Sequence, residues 1–392
     1  MSNFTPTPML GGGQAADWVF MFKFNASSFP HGDRPASKTG LFGGTFQDYK
    51  GEWSQQYVYA SNHQPTLQKG SGALGTSLDD PLGATFAQIY QNDCNYVVWN
   101  DQFYKHPMPS KNKPWGHSKG AIAWNDDGEG MVLQVSTPSW PGSGSERFPR
   151  KGDGNTLGTV HDDDIEVSQH FFALKLTKAD VLTVLTALSN ASVATRTSIP
   201  ALCQNGGPAD IQAAVKRLGK LNHTKKCTTA TLSSGVKLIS KPSLLPVPPW
   251  QLVSAKLDSL PLRVASWWAH PEIPSTSTSS TIHCWAAGLG EPGPVDIATT
   301  GVWDGVEIGL AGGTGTTHNH AKIGVSQDPT QPLSIFGDMN QQGALAPAAI
   351  YPNQRCTSSQ NGRGGTFYVL ENKAFWESLS AMLKGESAAV GD

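Results

Sequence analysis

The chain has 392 residues, a formal net charge of −2 and 15% charged residues. That length allows two domains or one large one, and 38% hydrophobic content with 42 Gly and 27 Pro indicates a loop-rich globular protein and excludes a disordered one. A net charge so close to zero also excludes a global positive field, so any site for a polyanion must be a local patch.

The first half of the chain alternates short apolar runs with Gly, Asn and Asp turns, a pattern typical of strands. It predicts strands at 17–25, 56–61, 95–101, 120–126, 130–136 and 170–176. Helices are expected at 177–192, with Thr177 as N-cap, and at 208–220, with Pro208 in the first turn. The first half therefore mixes strands with helices.

Composition shifts toward Ser, Thr and Pro between about 192 and 250, where we place the connection between two halves. Strand-like runs resume at 280–288, 301–312, 322–328 and 333–340, and a last helix is expected at 373–385. The predicted organisation is an N-terminal half at 1–191, a connecting region at 192–250 and a C-terminal half at 251–392. Strands and helices in both halves indicate an α/β fold.

Five cysteines, an odd number, imply at least one thiol that is free or pairs between chains. None lies in a Cys-x-x-Cys pattern, which argues against a zinc site and thioredoxin-like chemistry. For Cys203 and Cys227, a local disulfide and two free thiols both remain open.

The N-terminal stretch "MSNFTPTPMLGGGQAADW" has no basic n-region and no apolar h-region, so no signal peptide is expected. The run "WVFMFKF" is too short to cross a membrane. We therefore expect no membrane partner, while the compartment stays undetermined.

Each half carries a His-x-Lys triplet followed by an apolar run, "GHSKGAIAWND" in the first and "NHAKIGVSQD" in the second. On an extended segment, residues two apart share a face, so His117 lies with Lys119 and His320 with Lys322. A third triplet begins at His223 in "LNHTKKC", where no apolar strand follows, and is interpreted as solvated surface.

Such pairs suit a phosphodiester, because an ammonium group holds phosphate oxygens while imidazole transfers a proton or attacks phosphorus. One neutral imidazole would form a covalent phosphohistidine, and one protonated imidazole would protonate the leaving oxygen. Two lysines would stabilise the added charge, so we expect no metal and no cofactor. The need for mixed protonation favours acidic to neutral pH.

The motifs "WNDQ" at 99–102, "GHSKG" at 116–120, "HAK" at 320–322, "GDMN" at 337–340 and "RGGT" at 363–366 occur in an order that resembles the deoxyribonuclease II family. That family is similar to phospholipase D. The resemblance implies an α/β, phospholipase D-like fold of two similar halves, each with a mixed β-sheet flanked by helices, and an active site at their interface. It also implies a metal-independent, acid-active endonuclease that cuts double-stranded DNA with little sequence specificity, leaving 3′-phosphate and 5′-hydroxyl ends.

Carried over by position, the resemblance makes four residues catalytic: His117, Lys119, His320 and Lys322. Asn340 matches a phosphate-binding position, with Ser136 or Thr137 as the weaker counterpart, and a Cys284–Cys356 bridge is expected. The chain departs from animal members of the family, which have signal peptides and more disulfides, and it has His-Ala-Lys where relatives often have His-Ser-Lys.

Further residues are expected near DNA, although a solvated charged loop is the alternative for several of them. They are Lys111, Lys113, Trp115, Arg147, Arg150, Lys151, His318 and Arg363. Two other functions remain open: a phospholipase D-like phosphodiesterase for a lipid or other small phosphodiester, and a DNA-binding protein without activity. A homodimer is also left open.

Overall fold

The structure, a computed structural model of the chain, describes residues 4–30, 52–91, 94–103, 108–138, 166–347, 349–350 and 355–391. The first half builds an eight-stranded sheet in the order β3-β2-β1-β7-β6-β5-β4-β8, in which the paired strands run antiparallel. Its strands are Trp18–Lys23 (β1), Tyr57–Ser61 (β2), Gln68–Lys69 (β3), Asn95–Asn100 (β4), Lys119–Trp124 (β5), Gly130–Val135 (β6), Gln169–Leu176 (β7) and Cys203–Gln204 (β8).

The second half builds a seven-stranded sheet in the order β12-β11-β15-β16-β17-β10-β9, in which β11 and β12 are parallel. Its strands are Thr228–Thr231 (β9), Lys237–Lys241 (β10), Leu262–Ala265 (β11), Val295–Ile297 (β12), Ile323–Ser326 (β15), Leu333–Gly337 (β16) and Gly365–Glu371 (β17). A separate hairpin joins Thr300–Trp303 (β13) to Val306–Gly309 (β14).

Helices flank both sheets, and a short 3₁₀ helix at Ser359–Gly362 precedes β17. They are Pro81–Gln91 (α1), Lys178–Asn190 (α2), Ala209–Val215 (α3), Pro249–Lys256 (α4) and Lys373–Met382 (α5). No helix within the described ranges is long and apolar enough to cross a membrane.

The two sheets share one core. In β1, Phe20 belongs to the apolar cluster that includes residues of both sheets, while the alternate residues Val19 and Met21 belong to a cluster whose buried members lie between residues 16 and 202. The Phe336 ring of β16 lies 5.1 Å from the Phe20 ring and stacks on Phe172 of β7 at 4.2 Å. Aromatic packing therefore fixes one sheet against the other.

The predicted α/β architecture of two sheets flanked by helices is confirmed, but only the second sheet is mixed, because each registered pair of the first is antiparallel. The region 192–250 contributes strands to both sheets, with β8 in the first and β9 and β10 in the second. The six strands and two helices predicted in the first half are present, and the capping box of α2 confirms Thr177 as its N-cap.

Two expectations for the second half were wrong in detail. The segment 280–288 contains no strand; its apolar Cys284 is buried because it forms a disulfide with Cys356, the bridge that the resemblance implied. Closing this 72-residue separation stabilises the fold by about 4 kcal/mol in the chain-entropy view. The run 301–312 contains a hairpin turning at Asp304 and Gly305, which both have positive φ.

Cys203 and Cys227 carry free thiols, so the local disulfide between them is not formed. Burial raises the pKa of each thiol to about 11. Of the two alternatives left open by the sequence, the structure shows two free thiols.

Candidate active site

The first His-x-Lys segment is held by the second half of the chain. The backbone N–H of His117 donates to the Gly364 carbonyl at 2.8 Å, and its ring Nδ1 lies 2.7 Å from the Asp338 carbonyl oxygen. Because a carbonyl can only accept, Nδ1 carries the proton, and the ring presents Nε2 as its free lone pair when neutral. Lys119 is the first residue of β5 and is almost fully buried.

The second His-x-Lys segment is held in turn by the first half. The backbone N–H of His320 donates to the Ser168 carbonyl at 2.8 Å, and its ring Nδ1 lies 3.4 Å from the side-chain amide nitrogen of Gln169. The backbone N–H of Lys322 donates to Nδ1 of His170 at 3.1 Å, and its ammonium donates to the His320 carbonyl.

These contacts are reciprocal. Gly364 directly precedes β17 and Ser168 directly precedes β7, so each histidine is tied to the start of a long strand in the other half. The two segments that the sequence paired therefore meet at the interface of the halves. Both histidines are buried, at 5% and 6% exposure.

Glycine lets the backbones approach this closely. A Cβ on Gly364 would lie 2.1 Å from the carbonyl oxygen of Ala191, and one on Gly116 would lie 2.5 Å from the same atom. Only glycine fits at such distances. This is the physical reason for the glycines in "GHSKG" and "RGGT".

A chain of hydrogen bonds connects the two segments. The Asp338 carboxylate accepts from Gln134 Nε2 at 3.0 Å, and the Gln134 side-chain oxygen lies 3.1 Å from Nε2 of His170. Since Nδ1 of His170 accepts from Lys322, its Nε2 must donate to Gln134. The same residue, Asp338, thus supports His117 through its carbonyl and reaches Lys322 through its carboxylate.

Burial lowers the pKa of His170 well below its usual value, and the positive charge of Lys322 lowers it further. The ring therefore stays neutral, as this hydrogen-bond network requires. No motif pointed to His170 or Gln134, which were expected only as strand residues. They enter the site because the register of β6 and β7 places Ser136 beside His170, at the end of the strands facing the second half.

Burial also dominates the electrostatics of His117. It lowers the pKa of the imidazole well below the ordinary value, and the nearby charge of Lys119 adds to the effect, with a smaller contribution from Lys322 of the other half. Burial alone would raise the pKa of the Asp101 carboxyl, but the charges of Lys119 and Arg363 outweigh it and hold that pKa well below its usual range.

The predicted phosphate-binding residues lie at the ends of β6 and β16. The Ser136 hydroxyl is engaged, since it donates to Gln169 at 2.5 Å and accepts from the His170 N–H at 2.8 Å. The Thr137 hydroxyl and the Asn340 side-chain oxygen are buried and have no hydrogen-bond partner within the described part of the chain. Of the three, Thr137 and Asn340 therefore retain capacity for a ligand.

The residues expected near DNA fall into different environments. Lys113 is exposed and donates to the Thr357 carbonyl at 3.0 Å, and the Lys111 ammonium lies 5.9 Å from the centre of a ring of Trp115. His318 is half-buried, and its carbonyl accepts from the Ser168 N–H. Arg147, Arg150 and Lys151 lie outside the described residues.

Arg363 is 8% exposed, and its guanidinium is turned into the protein. It donates to the Asp101 carboxylate at 2.7 Å and to three backbone carbonyls of the segment 111–116. The side chain that sequence reasoning placed on DNA therefore makes its hydrogen bonds inside the molecule.

Within the described ranges, no group of three His, Cys, Asp or Glu side chains is arranged to hold a metal ion. A cleft of about 540 Å³ lies at the opposite end of the first sheet, where it is lined by residues that include Trp18, Glu129 and Leu176. These residues mark the ends of β1, β6 and β7 away from the His-x-Lys segments. We do not place the site in that cleft.

Comparison with known proteins supports the resemblance. A model of the family described as Deoxyribonuclease II matches residues 45–387. The chain therefore belongs to the deoxyribonuclease II family, and the predicted family is confirmed.

Two curated relatives show how far the similarity extends. The chain is 23% identical over 319 residues to cell-death-related nuclease 7 of Caenorhabditis elegans, which covers 77% of this chain and 73% of the nematode protein. It is 27% identical over 131 residues to deoxyribonuclease-2-alpha of Sus scrofa, which covers 33% of this chain and 31% of the pig protein. The match thus spans about a third of that relative's length.

Among solved structures, yeast tyrosyl-DNA phosphodiesterase aligns with a TM-score of 0.33 and 10% identity, over 71% of this chain and 82% of the yeast chain.

Proposed function

We propose that this protein is an endonuclease that hydrolyses DNA phosphodiesters to 3′-phosphate and 5′-hydroxyl ends without a metal ion. One observation carries the proposal: each His-x-Lys segment is clasped by the opposite half, so that two imidazoles and two ammonium groups lie at one buried interface. The names of the relatives, deoxyribonuclease-2-alpha and a cell-death-related nuclease, support DNA as the substrate.

His117 is the nucleophile in this proposal. Its Nδ1 proton is committed to the Asp338 carbonyl, so Nε2 holds the lone pair that attacks phosphorus. Burial and Lys119 keep the pKa of this ring low, so it stays neutral in mild acid, where free histidine is charged. The attack forms a bond from Nε2 to phosphorus and breaks the bond to the 5′ oxygen.

His320 is the general acid and then the general base. Its Nδ1 faces the side-chain amide of Gln169, which can donate through nitrogen or, after rotation, accept through oxygen. The ring therefore keeps a partner in both protonation states. It gives a proton to the 5′ oxygen, then takes one from a water whose oxygen displaces Nε2 of His117 and leaves a 3′-phosphate.

The charge that develops on the phosphoryl oxygens is stabilised by Lys119 and Lys322, with the Thr137 hydroxyl as a further donor. The Asn340 amide nitrogen donates one N–H to Gln342 and has a second N–H for the phosphate. Two fixed cations in a buried site supply the electrostatic role that a metal would otherwise fill. Mild acid suits the nucleophile, because the lowered pKa of His117 keeps its ring neutral there. One chain holds both pairs, so the chemistry does not require a dimer.

Cleavage of supercoiled plasmid in EDTA, across acidic to neutral pH, tests the proposal. We expect nicking and linearisation by the natural chain, and a loss of at least about 100-fold for His117→Ala and for His320→Ala. His223→Ala is the matched control, because His223 begins the third His-x-Lys triplet and is exposed. It should cut at the natural rate.

Two outcomes would count against the proposal. Natural rates in both active-site variants would remove the catalytic assignment. Hydrolysis of phosphatidylcholine vesicles without any plasmid nicking would move the substrate class to lipid.

A further inference from the structure

Asp101 is a buried carboxylate to which the proposed chemistry gives no step. It directly follows β4 and is 0% exposed. Its Oδ1 accepts from the Lys119 ammonium at 2.7 Å, and its Oδ2 accepts from the Arg363 guanidinium at 2.7 Å. The two donors come from opposite halves of the chain, so one carboxylate bridges a cation of the first His-x-Lys segment and a cation of the second half.

Arg363 spreads its other donors over the segment that leads to His117. Its Nε donates to the Trp115 carbonyl at 2.9 Å, and its Nη2 donates to the carbonyls of Lys111 and Gly116 at 3.0 Å. A guanidinium in this planar arrangement fixes the backbone of the whole segment.

The backbone of Arg363 is itself fixed from behind. The buried Lys241 ammonium donates to the Arg363 carbonyl at 2.7 Å, and the next carbonyl, that of Gly364, accepts the N–H of His117. Asp101 therefore acts on both ends of the His-x-Lys segment. It holds the lysine side chain directly and the histidine backbone through Arg363.

We propose that Asp101 is a positioning residue that fixes the Lys119 ammonium and the His117 backbone relative to the scissile phosphate without touching the phosphate. The proposal rests on the proposed function. An ammonium on a four-carbon chain has many conformations, and a charge-assisted hydrogen bond to a fully buried carboxylate selects one of them. Two cations against one carboxylate also leave net positive charge for the phosphate.

Asp101→Asn in the full chain is the test, because it keeps the shape and removes the charge. We expect kcat for a DNA duplex to fall about 100-fold, while KM changes far less, since a misplaced group acts mainly in the transition state. The acidic limb of kcat/KM should also move to lower pH, because loss of a negative charge makes His117 harder to protonate. The titratable side chains around His117 are Lys119, Asp101, Arg363, Lys322 and Asp338.

Asp296→Asn is the matched control. Asp296 accepts from Arg263, which also donates to the Ser387 hydroxyl and to the backbone carbonyls of Leu383, Gly385 and Glu386. The arrangement is similar but belongs to no His-x-Lys segment. We expect Asp296→Asn to keep the kcat of the natural chain and to leave the acidic side of the pH profile of kcat/KM unchanged. Thermal unfolding midpoints of both variants show whether any loss of activity comes from unfolding.

The double variant Asp101→Asn/Lys119→Met gives a second readout and removes a buried pair together, so that no unpaired lysine remains. Because Asp101 acts partly through Lys119 and partly through Arg363, adding Asp101→Asn to Lys119→Met should slow the enzyme by a smaller factor than Asp101→Asn slows the natural chain. The positioning role would be overturned if the two substitutions reduced kcat by independent factors that multiply in the double variant. It would also be overturned if Asp101→Asn kept the kcat of the natural chain and the acidic side of its pH profile. An inactive natural chain would instead count against the proposed function.

Discussion

His117 and His320 differ in the group that their Nδ1 atoms face. A backbone carbonyl holds the first ring in one tautomer, whereas a rotatable amide serves the second ring in either protonation state. In the proposed mechanism, this contrast gives different roles to two residues that the sequence presents as equivalent. It also predicts that removing each ring blocks a different catalytic step.

A substrate that needs no leaving-group proton separates the two duties. Thymidine 3′-(4-nitrophenyl phosphate) replaces the 5′ oxygen with a phenolate that leaves unassisted. We expect His320→Ala to release a stoichiometric burst of nitrophenolate and to accumulate phosphohistidine, because only water activation is then impaired. His117→Ala should give no burst. A burst from His117→Ala and none from His320→Ala would reverse the roles.

At the scale of elements, patterns along one segment predicted structure well where one face is polar. Helix α2 has the predicted Thr177 cap and buries Val181, Val184, Leu185 and Leu188. Helix α4 was missed because most of its residues are buried, so no amphipathic period appears in the sequence. Helix α1 was missed as well. The run 280–288 misled us because its apolar letters pack beside a disulfide, not in a strand.

The N-cap of α2 offers a stability test at this scale. The Thr177 hydroxyl accepts the Asp180 N–H, so Thr177→Ala should lower the free energy of unfolding by about 1 kcal/mol. Thr183 is on the same helix, and its exposed hydroxyl only donates to the Ala179 carbonyl; Thr183→Ala should change stability little. Urea unfolding of both variants measures this. Equal losses would contradict the capping role.

The site shows the same limit of sequence reasoning. The two His-x-Lys pairs could be found because each is local, and the structure brings both segments to one interface, while their catalytic roles stay predictions. Asp101, Gln134 and His170 were not assigned to the site, because their contacts depend on strand register and on how one half faces the other. No pattern within a single segment encodes that relation.

At the scale of the whole molecule, the proposed function depends on the docking of two sheets. The aromatic core around Phe336 fixes them together, and each half supplies the carbonyl that holds the other half's histidine. Neither half alone contains a complete site in this account. The chemistry therefore belongs to the interface and should fail whenever the halves separate.

The central claim is that His117 and His320 act on one phosphorus, and a crystal structure with orthovanadate tests it most directly. Vanadate adopts the five-coordinate geometry of the transition state. The account predicts vanadium bonded to Nε2 of His117, with the opposite apical oxygen at hydrogen-bond distance, about 2.7–3.0 Å, from Nε2 of His320. Vanadate bound to one ring with the other pointing away, or bound elsewhere in the molecule, would contradict it.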